Sequence, residues 1–196
     1  MSKIAKALVD ANVVKFGEFE LASGAKSPIY IDLRILPSFP KSFQLISDEL
    51  TKIAKKLDID VVAGAETAGI PYAASIALKA SLPMVYVRKR PKGYGTNSMV
   101  EGLLTKGNKV VLVDDLATGG YSKLNFVEGI QKTGAEVKNV LIVLDREQGC
   151  KEALEEKGIA LHKLITLKEL LDYMKKNGLI EEEKHKEVLK YLEENK

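Results

Sequence analysis

The spacing of apolar positions changes several times along the chain, and each change marks an element. Ile4, Ala5, Leu8 and Val9 recur at helical spacing and predict a short N-terminal helix ending near Asn12. Val13 to Leu21 is apolar with Gly17 interrupting it, as in an extended or hairpin segment. Ser23-Gly24-Ala25-Lys26-Ser27-Pro28 reads as a turn. Ile29, Ile31 and Leu33 then alternate with Tyr30, Asp32 and Arg34, the pattern of a half-buried strand. Pro37 and Pro40 interrupt the chain before Phe43, Ile46, Leu50, Ile53 and Leu57, which mark an amphipathic helix. From Asp60 onward, short apolar strands alternate with helices. The strands are Asp60–Ala63, Met84–Val87, Val110–Val113, Val137–Leu144 and Leu161–Ile165. Helices are expected from about Ile70 to Ala80, from Leu124 to Gly134 and near Lys151–Lys157, with two more at Leu167–Lys176 and Ile180–Glu194. This alternation predicts an α/β fold, a mainly parallel sheet flanked by helices, with ligands bound beyond the carboxyl ends of its strands.

Composition narrows the setting. The 196 residues suit a single domain over 1–196, and 45% hydrophobic with 29% charged residues is ordinary for a globular protein. A net charge of +3 is too small to argue for nucleic-acid or membrane binding. The single cysteine, Cys150, leaves no internal disulfide and fits a reducing compartment; with the short, charged N-terminal segment, the expected location is the cytoplasm. No G-x-x-x-x-G-K-[ST] occurs, and no G-x-G-x-x-G follows a strand, so neither a Walker loop nor a dinucleotide site is expected. His162 and His185 are read as surface residues of a strand and a helix.

The chemistry concentrates in Lys109-Val110-Val111-Leu112-Val113-Asp114-Asp115-Leu116-Ala117-Thr118-Gly119-Gly120-Tyr121-Ser122. A buried strand here ends in two carboxylates and a small, hydroxyl- and glycine-rich turn that opens a helix. Such a helix start offers unpaired N–H groups and a partial positive charge to an anion, with Thr118 and Ser122 as further donors. Carboxylates repel phosphate, so Asp114 and Asp115 suit sugar hydroxyls, or a Mg²⁺ that the substrate carries in. A sugar phosphate is the ligand this order of residues fits.

Two further constellations bear on the site. Arg88-Lys89-Arg90-Pro91-Lys92 places four cations in five residues, on a glycine-containing loop that runs to about Gly107. Alone it fits a solvated charge run, a nucleic-acid contact or a mobile lid over a polyanion; beside the sugar-phosphate stretch the lid is the better fit. Asp145-Arg146-Glu147-Gln148-Gly149 follows the strand 137–144, on the same sheet edge as the acids. Arg146 could clamp a carboxylate in bidentate fashion, or form a structural salt bridge with Asp145 or Glu147, the commoner role for its type.

The acid-and-turn stretch closely resembles the 5-phosphoribosyl-1-pyrophosphate (PRPP) motif of type I phosphoribosyltransferases, with Tyr121 where relatives usually carry Gly, Thr or Ser. Four segments in order narrow the resemblance to the orotate phosphoribosyltransferase branch. These are Lys15–Phe19 running into Ser23–Pro28, Arg88-Lys89 with Lys92–Gly95, the PRPP motif, and Asp145–Gly149. The resemblance implies a type I phosphoribosyltransferase core with a small N-terminal hood, mainly from residues 1–40. It implies transfer of 5-phosphoribosyl from PRPP to orotate, giving orotidine 5′-monophosphate and pyrophosphate in pyrimidine (UMP) biosynthesis. Mg²⁺ would arrive on PRPP, near Asp114 and Asp115, with no metal held directly by the chain.

Further roles follow from the resemblance. Lys92 would be the principal catalytic cation, with Arg88 and Lys89 on pyrophosphate. Asp114, Asp115, Leu116, Ala117, Thr118, Gly119, Gly120, Tyr121 and Ser122 would hold PRPP, with Tyr94, where many relatives have histidine, also near it. Thr118 and Arg146 would contact orotate. Ala22 stands where many relatives have lysine, and Lys26 is the candidate to replace it. Glu66-Thr67-Ala68-Gly69 matches the pyrophosphate loop, where a cis peptide is often seen. A homodimer is implied, with the 88–107 lid of one subunit reaching the partner's site. A purine phosphoribosyltransferase, or a non-catalytic regulator of the same fold that binds nucleotide and nucleic acid, are the alternatives.

Overall fold

The computed structural model describes residues 2–20, 24, 26–91 and 98–195. Helix α1 (Ser2–Asp10) leads into a hairpin of β1 (Val14–Glu20) and β2 (Lys26–Ile31), a 3-10 turn over Leu33–Ser38, and α2 (Pro40–Ala54). The alternating region follows as β3 (Val61–Ala65), α3 (Gly69–Ala80), β4 (Met84–Val87), β5 (Val100–Glu101), β6 (Lys109–Ala117), α4 (Tyr121–Gln131), β7 (Glu136–Asp145), α5 (Cys150–Glu155) and β8 (Ala160–Thr166). Helices α6 (Leu167–Lys176) and α7 (Glu182–Glu194) close it. The main sheet runs β5-β4-β3-β6-β7-β8, parallel except for β5, which lies antiparallel to β4.

Because strand side chains alternate, the sheet feeds two cores. Val62, Val111, Val113, Leu141 and Val143 turn to one face and pack with residues of α1, α2, α3, α6 and α7. Val61, Ala63, Val110, Leu112, Val140 and Ile142 turn to the other, against α4 and α5. Each fully buried aliphatic side chain contributes ~1.5–3 kcal/mol to folding, so the central strands are anchored from both sides. The hairpin has no core of its own: its Val14, Ile29 and Ile31 join the cluster that holds α1 and α2. A capping box at Thr166 and Glu169 starts α6 where the hydrophobic spacing placed it.

Several elements depart from expectation. β6 runs through both acids to Ala117, because β7 continues alongside it, pairing Leu116 with Leu144 and Ala117 with Asp145. β2 begins at Lys26 and carries Pro28, which an edge strand tolerates. The stretch expected as loop to Gly107 contains β5, whose Val100 pairs with Val87, so the excursion closes earlier. His185 is buried, not superficial, with its Nε2 2.8 Å from Asp172 Oδ1 across α6 and α7. Half-buried His162 stands 2.9 Å from the Asn139 side-chain oxygen. No helix among the described residues is long and apolar enough to cross a membrane.

One close approach seats α3 on the sheet. A Cβ at Gly69 would stand 2.3 Å from the Val113 carbonyl oxygen and 3.0 Å from Asp114 Cα. Gly69→Ala should therefore push α3 off the β6 tip, costing about 1–3 kcal/mol as overpacking does. At roughly 2–4 °C per kcal/mol for a chain of this size, thermal denaturation should show the drop; an unchanged midpoint would contradict the contact.

Candidate active site

The carboxyl ends of β6 and β7 meet at one edge, so the register that pairs Ala117 with Asp145 also sets the acid pair beside Arg146. Asp114 is buried and each of its oxygens is engaged: Oδ2 lies 2.6 Å from Lys123 Nζ, and Oδ1 accepts the Asp115 N–H at 2.9 Å. Asp115 Oδ1 accepts the Leu116 N–H at 2.7 Å. Burial, and then the neighbouring Asp114 charge and hydrogen bond, push the Asp115 carboxyl up to about 7, against the opposing pull of Lys123 and the Leu116 N–H.

The turn after β6 is shaped for an anion. Gly120, at φ +85°, is the N-cap of α4, and no side chain caps that helix. Its first free donors therefore belong to Tyr121, Ser122 and Lys123, since the Leu124 N–H already returns to the Gly120 carbonyl. A side chain at Gly120 would also press on Ala153 Cβ at 3.0 Å. Tyr121 is 87% exposed, its ring turned outward. Thr118 and Gly119 are exposed on the turn, and Ala117 is buried with its carbonyl taken by the Arg146 N–H at 3.0 Å.

A cavity of about 420 Å³ opens over this edge. Asp114, Asp115, Leu116, Ser122 and Arg146 line it from the sheet side, with Glu66, Thr67 and Ala68 from the β3–α3 turn. The Glu66–Thr67 peptide bond in that turn is cis. Tyr30 and Arg34 close it from the hood, and Lys89 from the root of the basic loop. Glu66 Oε2 accepts the Lys89 N–H at 2.8 Å, tying the two loops together, and Asn125 Nδ2 donates to the Lys89 carbonyl at 3.1 Å.

The salt bridges weighed for Arg146 do not form among the described residues: Asp145 pairs with Lys163 at 2.9 Å, and Lys163 also approaches Glu147 at 3.9 Å. The buried guanidinium lies beside Tyr191, and its Nε and Nη2 have no hydrogen-bond partner among the described residues. Burial lowers its affinity for the proton, and Tyr191 works against that shift.

Other expected residues lie elsewhere. Lys26 is turned outward beside Glu18 at 3.7 Å and lines a separate groove of about 530 Å³ between the hairpin and α7. It stands four strand positions from Tyr30, about 13 Å along β2, which is why it misses the cavity. Arg88 points to Glu101, 3.9 Å away, and away from the cavity that Lys89 lines, as alternation along the chain requires. Lys92 and Tyr94 lie outside the described residues, as does Ala22. Cys150 is buried and its thiol is pushed up to about 11, chiefly by burial, which agrees with an incidental thiol.

Residues not singled out from sequence also belong here. Lys123 looked like an ordinary polar position of an amphipathic helix; only its buried pair with Asp114 reveals it. Arg34 donates from Nε to Asp32 at 2.8 Å and hydrogen-bonds the Tyr30 hydroxyl, and the alternation that put both on the polar face of the strand was the available signal. Among the described residues no three acidic, histidine or cysteine side chains gather as a metal cage. Two adjacent carboxylates at the cavity supply the oxygen donors that suit a hydrated Mg²⁺.

Comparison with known proteins agrees with this geometry. Residues 38–160 match the Phosphoribosyl transferase domain. The chain is 39% identical to the orotate phosphoribosyltransferase of Sulfolobus acidocaldarius, over 97% of this chain and 96% of that one. It is also 39% identical to that of Pyrobaculum aerophilum, over 95% and 96%. The orotate phosphoribosyltransferase structure from Aeropyrum pernix superposes with a TM-score of 0.80 at 38% identity, covering 91% of this chain and 99% of that one. The UMP synthase of Leishmania donovani reaches 0.89 at 33% identity, over 98% of this chain but 42% of that longer protein. By its sheet edge, the glycine-rich turn after β6 and these similarities, the chain belongs to the type I phosphoribosyltransferases, in the orotate phosphoribosyltransferase family.

Proposed function

We propose that this chain joins orotate to the ribosyl carbon of PRPP, giving orotidine 5′-monophosphate and releasing pyrophosphate. The observation that carries the reading is the Arg146 guanidinium on the cavity wall, beside the acid pair and an uncapped helix start. A guanidinium can grip a carboxylate with two parallel N–H groups, and orotate is a carboxylated base. Arg34 is the weaker candidate for that role, because Asp32 already occupies it.

The 5′-phosphate is assigned to the turn from Thr118 to Ser122, and the ribose hydroxyls to the acid pair. As the bond from C1 to pyrophosphate breaks, its electron pair leaves with the diphosphate and an oxocarbenium-like centre forms, which a nitrogen of deprotonated orotate attacks. The protein supplies no nucleophile. Arg146 and Tyr30 align the base with C1, the β3–α3 turn receives the diphosphate, and Lys89 with Lys92 offsets the charge growing there. Mg²⁺ is read as arriving on PRPP, adding positive charge at the diphosphate, with Asp115 and Asp114 nearest to it. The lid is assigned to act across a homodimer.

Orotate absorbance should fall on addition of PRPP and Mg²⁺, while adenine, guanine and hypoxanthine leave PRPP intact; turnover of a purine instead would overturn the base assignment. Arg146→Lys keeps the charge but loses the two-pronged edge, so ~1.5–3 kcal/mol of binding should go, raising KM for orotate about ten- to a hundredfold with KM for PRPP little changed. Lys92→Ala and Asp115→Asn should each be nearly inactive, and mixed dimers of the two should regain activity. Verified heterodimers that stay inactive would reject a shared lid.

A further inference from the structure

The basic loop reaches the cavity through Lys89, an exposed residue on a long, flexible stem. Where such a side chain enters is decided by the main chain that carries it. At Lys89 that main chain is gripped on both sides. Glu66 Oε2 accepts its N–H at 2.8 Å, and Asn125 Nδ2 donates to its carbonyl at 3.1 Å. The two partners come from different elements, the β3–α3 turn and the start of α4. Water would satisfy an exposed loop peptide as well, so hydrogen-bond demand alone does not explain two side chains on one residue.

Helix α4 supplies the reason. Asn125 and Gly129 stand one turn apart on the same face of it. Asn125 meets the outgoing end of the loop. Gly129 receives the return, since a Cβ there would stand 3.0 Å from Met99 Sδ. The Arg88 N–H donates to the Met99 carbonyl at 2.8 Å and Val87 pairs with Val100, so the two ends are also joined to each other. The same helix begins at the glycine-rich turn assigned to the 5′-phosphate. One rigid rod thus sets the distance between that turn and the root of the basic loop. PRPP carries an anion at each end of one sugar, and a fixed spacing between the groups that receive them preorganises the site.

We propose that Asn125 is a positioning residue for the diphosphate end of the site: it holds the Lys89 peptide so that the Lys89 side chain enters the cavity beside the β3–α3 turn. Asn125 is not among the described residues that line the cavity, so it acts through Lys89 and not on substrate. Glu66 holds the opposite side of the same residue. The inference rests on the assignment of Lys89 to the diphosphate, though not on orotate as the base.

The test is calorimetric binding of PRPP with Mg²⁺ to the full-length protein, beside ribose 5-phosphate, which lacks the diphosphate. Asn125→Ala should weaken PRPP binding about three- to tenfold, as loss of one hydrogen bond does, while ribose 5-phosphate stays within about twofold of the parent. Asn125→Leu keeps comparable bulk without the donor and should lose as much, which answers the question even where the alanine variant does not fold. Lys89→Ala should weaken PRPP binding at least as far. The double variant Asn125→Ala with Lys89→Ala should stay within about twofold of Lys89→Ala, because a positioning residue then has nothing to place. Additive losses, an equal loss of ribose 5-phosphate, or unchanged PRPP binding in the Asn125 variants would each overturn the proposal. A parent protein that binds no PRPP, or a Lys89→Ala variant that binds it like the parent, would instead reject the diphosphate assignment and the proposal with it.

Discussion

The parallel pairing of β6 with β7, carried past the hydrophobic stretch as far as Ala117 and Asp145, is the constraint on which the site depends. Each strand ends in residues that, alone, would leave the sheet for water. Held side by side by main-chain hydrogen bonds, they bring the acid pair and Arg146 to one edge, and the turn after β6 begins from a fixed point. The core below makes this edge stiff: Leu112, Val113, Ile142, Val143 and Leu144 are wholly buried, so the ends of the two strands inherit a position settled by packing.

Neighbouring loops are built onto that edge. The Gly69 backbone lies against the Val113 carbonyl, fixing how close the β3–α3 turn comes to the acids. Glu66 in the same turn holds the backbone of Lys89, so the basic loop leaves β4 already tied to the site. On the far side, Tyr191 of α7 lies beside the Arg146 guanidinium, and Gln148 donates to the Asn195 carbonyl at 2.8 Å. The C-terminal helix thus braces the segment that carries Arg146.

Local patterns made much of this legible. Met84–Val87 and Leu167–Lys176 were bounded by their hydrophobic spacing alone, and the order acid, acid, small turn, helix survived folding as written. What failed was whatever depended on a partner strand. Asp114 and Asp115 read as the end of a strand because their side chains are polar, yet a ladder follows main-chain partners and not polarity. β5 is two residues long, too short for any period to register. Lys26 is the candidate to stand in for a missing lysine, but sequence does not give its direction, and β2 turns it outward beside Glu18. Lys123 and His185 show the same limit from the other side: each is a charged or titratable type on a helix, and burial came from what packs across from it.

The cavity contains three carboxylates, an odd furnishing for a ligand that carries phosphate and diphosphate. Their bonding resolves the conflict. Glu66 is turned to a backbone N–H at the root of the basic loop, Asp114 is matched by Lys123, and Asp115 is pushed up to about 7 by burial and by its neighbour, which mutes its charge near neutral pH. A cation arriving at Asp115 would favour its ionised form, because an adjacent positive charge stabilises a carboxylate. The site therefore presents little of its acidity to an approaching anion, while Lys89 and the start of α4 at Ser122 line the same cavity. Pairing within the protein thus leaves two of the three carboxylates with little net charge toward the cavity.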